Sequence, residues 1–214
     1  MSWLSVMEEK ADCCVKDFES NPKLDMNHYL DLCLVLEDVY TTFFPLPVSY
    51  LLINDLKNGE TVIRDAYKSD SKVSLYIEEY TTLQDMVKMQ IKMYGSKECE
   101  SRSVNGTKSL LWMNRGLRFF QTLIHNLLQN IPSSEAGYKT YEEVLLPYHG
   151  WITQKVVGNA LSYAPPISNI LYLIGVDEQV GRERFERLET NLKVVSDKVT
   201  TLLQSYGADF QSKV

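Results

Sequence analysis

The sequence predicts an all-α protein with a single domain spanning residues 1–214, and three observations carry that prediction. Apolar residues recur at steps of three and four along nearly every long segment, which is the period of one helix face. The strict alternation of a half-buried strand is missing. Prolines fall at the edges of the periodic stretches, where helix chemistry tolerates them. No linker rich in glycine or serine divides the chain, and no internal repeat is visible.

Taken in order, Leu4, Met7, Ala11, Cys14 and Phe18 form the first apolar stripe, and Met26, Tyr29, Cys33, Leu36 and Tyr40 the second. Pro45 and Pro47 separate the second helix from the third, whose face is Val48, Leu51, Leu52, Leu56, Gly59 and Ile63. Tyr76, Tyr80, Leu83, Val87, Ile91 and Tyr94 follow the same rule. Residues 95–106 and 132–137 are polar and read as loops. Between them lies LLWMNRGLRFF, with rows Trp112, Gly116, Phe119, Leu123 and Met113, Phe120, Ile124, Leu127. Pro147 suits the first turn of a helix that places His149 on one face with Ile152, Val156 and Ala160. Pro165 and Pro166 end that helix and begin another over 167–174. The last stripe is the most regular: Phe185, Leu188, Leu192, Val195, Val199, Leu202 and Tyr206.

Composition narrows the function. With 44% hydrophobic and 23% charged residues, the chain has the make-up of a soluble globular protein. A formal net charge of −6 argues against nucleic acid as a partner and against tight adsorption to anionic lipid. The start MSWLSVMEEKADCC has no cationic segment leading into an apolar run, so a secretory signal is not expected. No stretch approaches the roughly 18 apolar residues of a membrane span. Cys13, Cys14, Cys33 and Cys99 lack metal-ligand spacing and read as reduced thiols, which makes a cytosolic location the expectation. HExxH, GxSxG and glycine-rich phosphate loops are absent, so neither an enzyme nor a cofactor is expected.

Four polar or amphipathic residues break the apolar pattern. Asp55 lies four residues after Leu51 and points along an apolar face, where an ionised carboxylate needs a partner. It is either half of an ion pair, a solvated edge residue, or an acceptor for ligand hydroxyls and amides, with Asn58 and Lys57 near enough to add donors. Trp112 is a core indole or a platform for the apolar face of a sugar ring. His149 is a satisfied core histidine or a donor to a ligand. Trp151, two positions on, is turned roughly 200° away on a helix. Beside Lys155 it reads as a membrane-interface anchor or as packing against a neighbouring helix.

In order, KSLLWMNRGLRFFQTLIHNLL, KTYEEVLLPYHGWITQK and ALSYAPP resemble the glycolipid transfer protein family, closely over residues 108–165 and more loosely from Leu24 to Tyr206. The resemblance implies a two-layer sandwich of about eight helices that holds one sphingolipid, with no cofactor and no catalytic step. It implies that Asp55 binds sugar hydroxyls and the ceramide amide and that Trp112 stacks on the first sugar. It further implies that His149 binds the ceramide carbonyl, while Trp151 and Lys155 meet the membrane. Two family positions depart here: Gly59 stands where an asparagine is expected and Val62 where a lysine is expected, leaving Asn58 and Lys57 as neighbours. Tyr206 or Phe210 is the candidate for a C-terminal tyrosine. Trp112 replaces a cation of the ceramide-1-phosphate branch, which favours a neutral sugar, while Lys108 permits some anionic heads such as sulfated galactose. The expected function is a carrier that docks transiently on membranes and moves a glycosphingolipid between them. The alternatives are a glycolipid sensor acting through a protein partner and a ceramide-1-phosphate carrier.

Overall fold

A computed structural model describes the chain except for Met1, Pro45, Pro47, residues 73–78 and 102–104, Ile152, Thr153, Val156, residues 158–160 and 162–164, and Val214. Helices α1 (Trp3–Ser20), α2 (Met26–Leu34), α3 (Leu36–Phe43), α4 (Val48–Arg64) and α5 (Ala66–Ser71) come first. They are followed by α6 (Leu83–Tyr94), α7 (Ser96–Ser101), α8 (Gly106–Leu128) and α9 (Ser133–Val144). A 3-10 turn, Leu146–Tyr148, precedes α10 (Ile167–Leu173) and α11 (Glu178–Ser205). Among the described residues the extended structure is a single bridge between Asp25 and Thr82.

The helices begin where short polar side chains can receive the first free N–H groups. Asp25 accepts from Asn27 N at 2.8 Å, Asn105 from Lys108 N at 2.8 Å, and Asp177 from Gln179 N at 3.0 Å. Thr82 accepts from Asp85 N at 3.2 Å while its own hydroxyl donates to the Asp85 carboxylate at 2.6 Å, a reciprocal cap. Helix α8 is the hub, packed against α11, α4 and α9, while α1 lies against α11 and α2. The stripes read from the sequence supply the core: Leu4, Met7, Tyr29, Phe120, Ile124, Phe185 and Leu192 are all buried.

Several expectations need correction. The stripe from Met26 to Tyr40 is broken at Val35, whose N–H turns back to Leu32 O at 3.3 Å and separates α2 from α3. Residues 95–106 are not all loop, since α7 occupies Ser96–Ser101, and α9 begins at Ser133 inside the stretch read as a second loop. Pro147 starts a 3-10 turn, and His149 is extended (φ −93°, ψ 139°), so it does not lie on a helical face. The expected face partners Ile152, Val156 and Ala160, like the separators Pro45 and Pro47, fall outside the described residues.

Close approach at two helix crossings depends on glycine. A Cβ at Gly181 would sit 2.4 Å from Leu171, where α11 passes α10. At Gly59 it would meet the Met113 Cγ at 3.2 Å, which brings α4 tightly onto α8.

Candidate functional site

Two aromatic rings form the centre of the site. The half-buried Trp112 indole on α8 lies parallel to the His149 imidazole, with ring centres 5.9 Å apart and planes 12° apart. Tyr148 meets Trp112 edge-on at 6.4 Å. The backbone of His149 is fixed from both sides: its N–H donates to Leu146 O at 3.3 Å, and its carbonyl accepts from Gln154 Nε2 at 2.9 Å. The ring shares a 2.9 Å hydrogen bond between Nδ1 and the Tyr141 hydroxyl of α9. Burial, then the nearby Arg115 cation, holds the His149 pKa below its ordinary value, so the imidazole is neutral at pH 7.

Arg115 was visible in the sequence only as a neighbour of Trp112. In the structure its buried guanidinium lies 3.4 Å from the Tyr148 ring centre and 4.9 Å from that of Trp112. It donates to the Phe210 carbonyl at 2.5 Å and pairs with Asp209 at 3.5 Å. Burial draws the Arg115 pKa down, opposed by Tyr148 and Asp209. The C-terminal segment therefore closes over the site, and of the two candidates there it is Phe210 whose backbone reaches Arg115. Tyr206 caps the end of α11.

Asp55 lies on the same seam, one turn before Gly59 on α4. Its side chain reaches solvent, yet burial by its surroundings raises its pKa. The Tyr40 hydroxyl connects the two sides of the seam. A Cβ at Gly116 would stand 3.3 Å from it, and burial, Cys33 and the Asp55 carboxylate all raise the Tyr40 pKa. Among the described residues Asp55 forms no hydrogen bond or ion pair, so the ion-pair reading is not what the structure shows. Lys57 is instead paired with Glu37 on α3 at 2.9 Å. Asn58 is exposed. Gly59 is occupied by its packing against Met113, so an asparagine there would force that side chain to move.

The remaining candidates are placed as follows. Lys108, one turn before Trp112, donates from Nζ to Glu100 O at 2.9 Å. Trp151 is 67% exposed, so most of its ring is not covered by a neighbouring helix, and the Lys155 ammonium stands 5.3 Å from its ring centre. Among the described residues no helix is long and apolar enough to cross a membrane, and no acid, histidine or cysteine cluster could hold a metal.

The model of the family described as glycolipid transfer protein matches residues 24–176. The zebrafish (Danio rerio) glycolipid transfer protein is 29% identical over 171 residues, covering 75% of this chain and 78% of its own. Mouse ceramide-1-phosphate transfer protein, in its apo form, has the same fold with a TM-score of 0.80 at 17% identity, covering 99% of this chain and 100% of its own. A structure described as showing how FAPP2 selects simple glycosphingolipids using the GLTP-fold matches with a TM-score of 0.77 at 17% identity, over 100% of both chains.

Proposed function

Because the chain belongs to the glycolipid transfer protein family, we propose that it is a carrier that extracts one glycosphingolipid from a membrane and delivers it to another. Members of this family transfer lipids and are not enzymes, in keeping with a site that offers donors, acceptors and ring faces rather than an acid–base pair. The observation that carries the reading is the Trp112–His149 pair, an aromatic platform beside a neutral imidazole. On this reading the first sugar lies against Trp112, and Asp55 accepts from sugar hydroxyls and the ceramide N–H. With the Tyr141 hydroxyl donating to Nδ1, the His149 ring keeps its hydrogen on Nε2, a donor for the ceramide carbonyl. Asn58 stands within one turn of Asp55 and adds a donor at the rim.

The state of the cations supports a neutral head over a phosphate. Arg115 is engaged by Asp209, the Phe210 carbonyl and Tyr148, and Lys108 by the Glu100 carbonyl. A phosphate would have to draw one of them away from its present partners. Apolar chains add about 0.8 kcal/mol per buried methylene, which supplies affinity without selecting the head. Trp151 and Lys155 form the docking element for a transient membrane encounter, and a cytosolic location fits such a shuttle. Glucosylceramide and ceramide-1-phosphate competing for one fluorescent probe test the head-group assignment, and stronger displacement by ceramide-1-phosphate reverses it. Slow transfer at catalytic protein amounts, despite tight lipid binding, would favour a sensor instead.

A further inference from the structure

Among the described residues, Trp3 carries the buried side-chain nitrogen without a hydrogen-bond partner: its indole Nε1–H points into the interior from a residue only 6% exposed. A buried indole normally finds an acceptor, and a phenylalanine would fill an apolar site without leaving a donor unpaired. Three rings surround it: Phe185 at 6.0 Å, Phe120 at 6.1 Å and Phe43 at 6.3 Å between centres. Phe43 and Phe120 also meet edge-on at 5.9 Å.

The position of this cluster gives it meaning. Phe120 lies eight residues beyond Trp112 on α8, about 12 Å along the axis at 1.5 Å per residue. Between them is Gly116, faced by the Tyr40 hydroxyl, and Phe43 follows Tyr40 on the same side of α3. A hydrocarbon chain held by its head at Trp112 and running along α8 past Tyr40 and Phe43 would arrive at Trp3. The helix end that carries it is weakly capped. Trp3 opens α1, where the first N–H groups have no intrahelical acceptors, and the Ser2 cap holds Ser5 N at a long 3.4 Å.

We infer that Trp3 is a displaceable plug that sets the floor of the hydrocarbon chamber and so determines acyl-chain length; the inference rests on the carrier reading above. On this inference the indole holds the space between Phe43, Phe120 and Phe185 until a long chain arrives. A chain long enough to pass Gly116 pushes the ring outward, where its N–H finds water. Short chains leave it in place.

Glucosylceramides with a constant sphingoid base and octanoyl, palmitoyl or lignoceroyl acyl chains test this on the whole protein, with Trp3→Ala and Trp3→Phe beside the wild type. Trp3→Ala is expected to raise the lignoceroyl-to-octanoyl affinity ratio about tenfold, the worth of roughly two additional buried methylenes. Trp3→Phe, which keeps a ring but removes the N–H, should melt no lower than wild type and shift the ratio less. Fluorine NMR of 5-fluorotryptophan-labelled wild type, with the Trp3 signal assigned through Trp3→Phe, should show that signal moving with the lignoceroyl lipid and not with the octanoyl one. This readout decides the matter even when Trp3→Ala does not fold. An unchanged ratio in folded variants, or a Trp3 signal indifferent to chain length, removes the plug while leaving the carrier reading intact. Failure of the wild type to bind any of the three lipids removes the carrier reading and the plug together.

Discussion

Two aspartates on successive helices, Asp70 and Asp55, are treated in opposite ways. Asp70 is buried and accepts from the Tyr80 hydroxyl at 2.8 Å, the Tyr94 hydroxyl at 2.8 Å and Gln90 Nε2 at 2.9 Å. The same glutamine passes the connection on, its Oε1 accepting from Thr107 N and Thr107 Oγ1 at 2.8 Å each. This closed polar knot ties α5 and α6 to the first turn of α8. Asp55, on α4, has no partner among the described residues, reaches solvent, and has a pKa raised by burial. A carboxylate buried with three partners specifies the fold, whereas one that meets solvent with no protein partner adds little to it and leaves its oxygens open.

Five results would sharpen or break this contrast. The largest effect is expected from Trp112→Ala, which removes the ring that lies against His149. Glycolipid transfer should fall to background while circular dichroism keeps its helical signal, and near-normal transfer by the folded variant would contradict the platform.

Next comes Asp70→Ala, which removes the acceptor of the Tyr80 hydroxyl and the Gln90 amide and one partner of Tyr94. A loss on the order of 3 kcal/mol is expected, from about 1–3 kcal/mol for each unsatisfied buried group with partial relaxation. Denaturant melts measure it, and the surviving folded protein should retain its lipid preference. A preference that changes would place Asp70 in the site after all.

Asp55→Val should do the reverse, weakening glycolipid binding about 10- to 100-fold through loss of a charge-assisted acceptor while the melting temperature holds. A lowered melting temperature with unaltered lipid selectivity would make Asp55 a structural residue like Asp70.

Trp151→Ala is expected to reduce sedimentation with vesicles several-fold and to slow transfer. Because its ring is 67% exposed, stability should change by no more than about 0.5 kcal/mol. Binding of a soluble short-chain glycolipid should be unaffected, and unchanged vesicle binding would move the docking surface elsewhere.

The smallest effect is in the pH dependence. Burial raises the folded pKa of Asp55 above its ordinary value of 3.8, so its ionisation disfavours the folded state above that raised value. The penalty disappears as pH falls through the folded pKa towards 3.8. Asp55→Asn should therefore be equal to or slightly more stable than wild type at neutral pH, with the difference vanishing in acid. A variant less stable at neutral pH would reveal a favourable interaction of the carboxylate.

What the sequence made legible was local. Apolar steps of three and four placed the buried faces of α1, α8 and α11, and the capping residues Asp25, Asn105 and Asp177 stand where such residues start helices. Trp112 and Trp151 could be singled out because an indole beside polar neighbours is unusual on its own helix. Apolar spacing around His149 predicts a helix, but Pro147 and Gly150 bracket a tight turn. Asp70 gave no signal, since its partners lie 10, 20 and 24 residues away. Arg115 is 95 residues from the carbonyl it holds. Gly59 looked like a lost asparagine until its contact with Met113 showed that the space was already used.

The link from Arg115 to Asp209 and Phe210 also has a consequence in time. A ribosome makes Trp112, Tyr148 and His149 well before it makes residues 209 and 210. Until that last segment emerges, the guanidinium between the rings lacks both its carboxylate and its carbonyl, and a buried cation in that condition is costly. The rings around Arg115 therefore settle only after residues 209 and 210 have been translated.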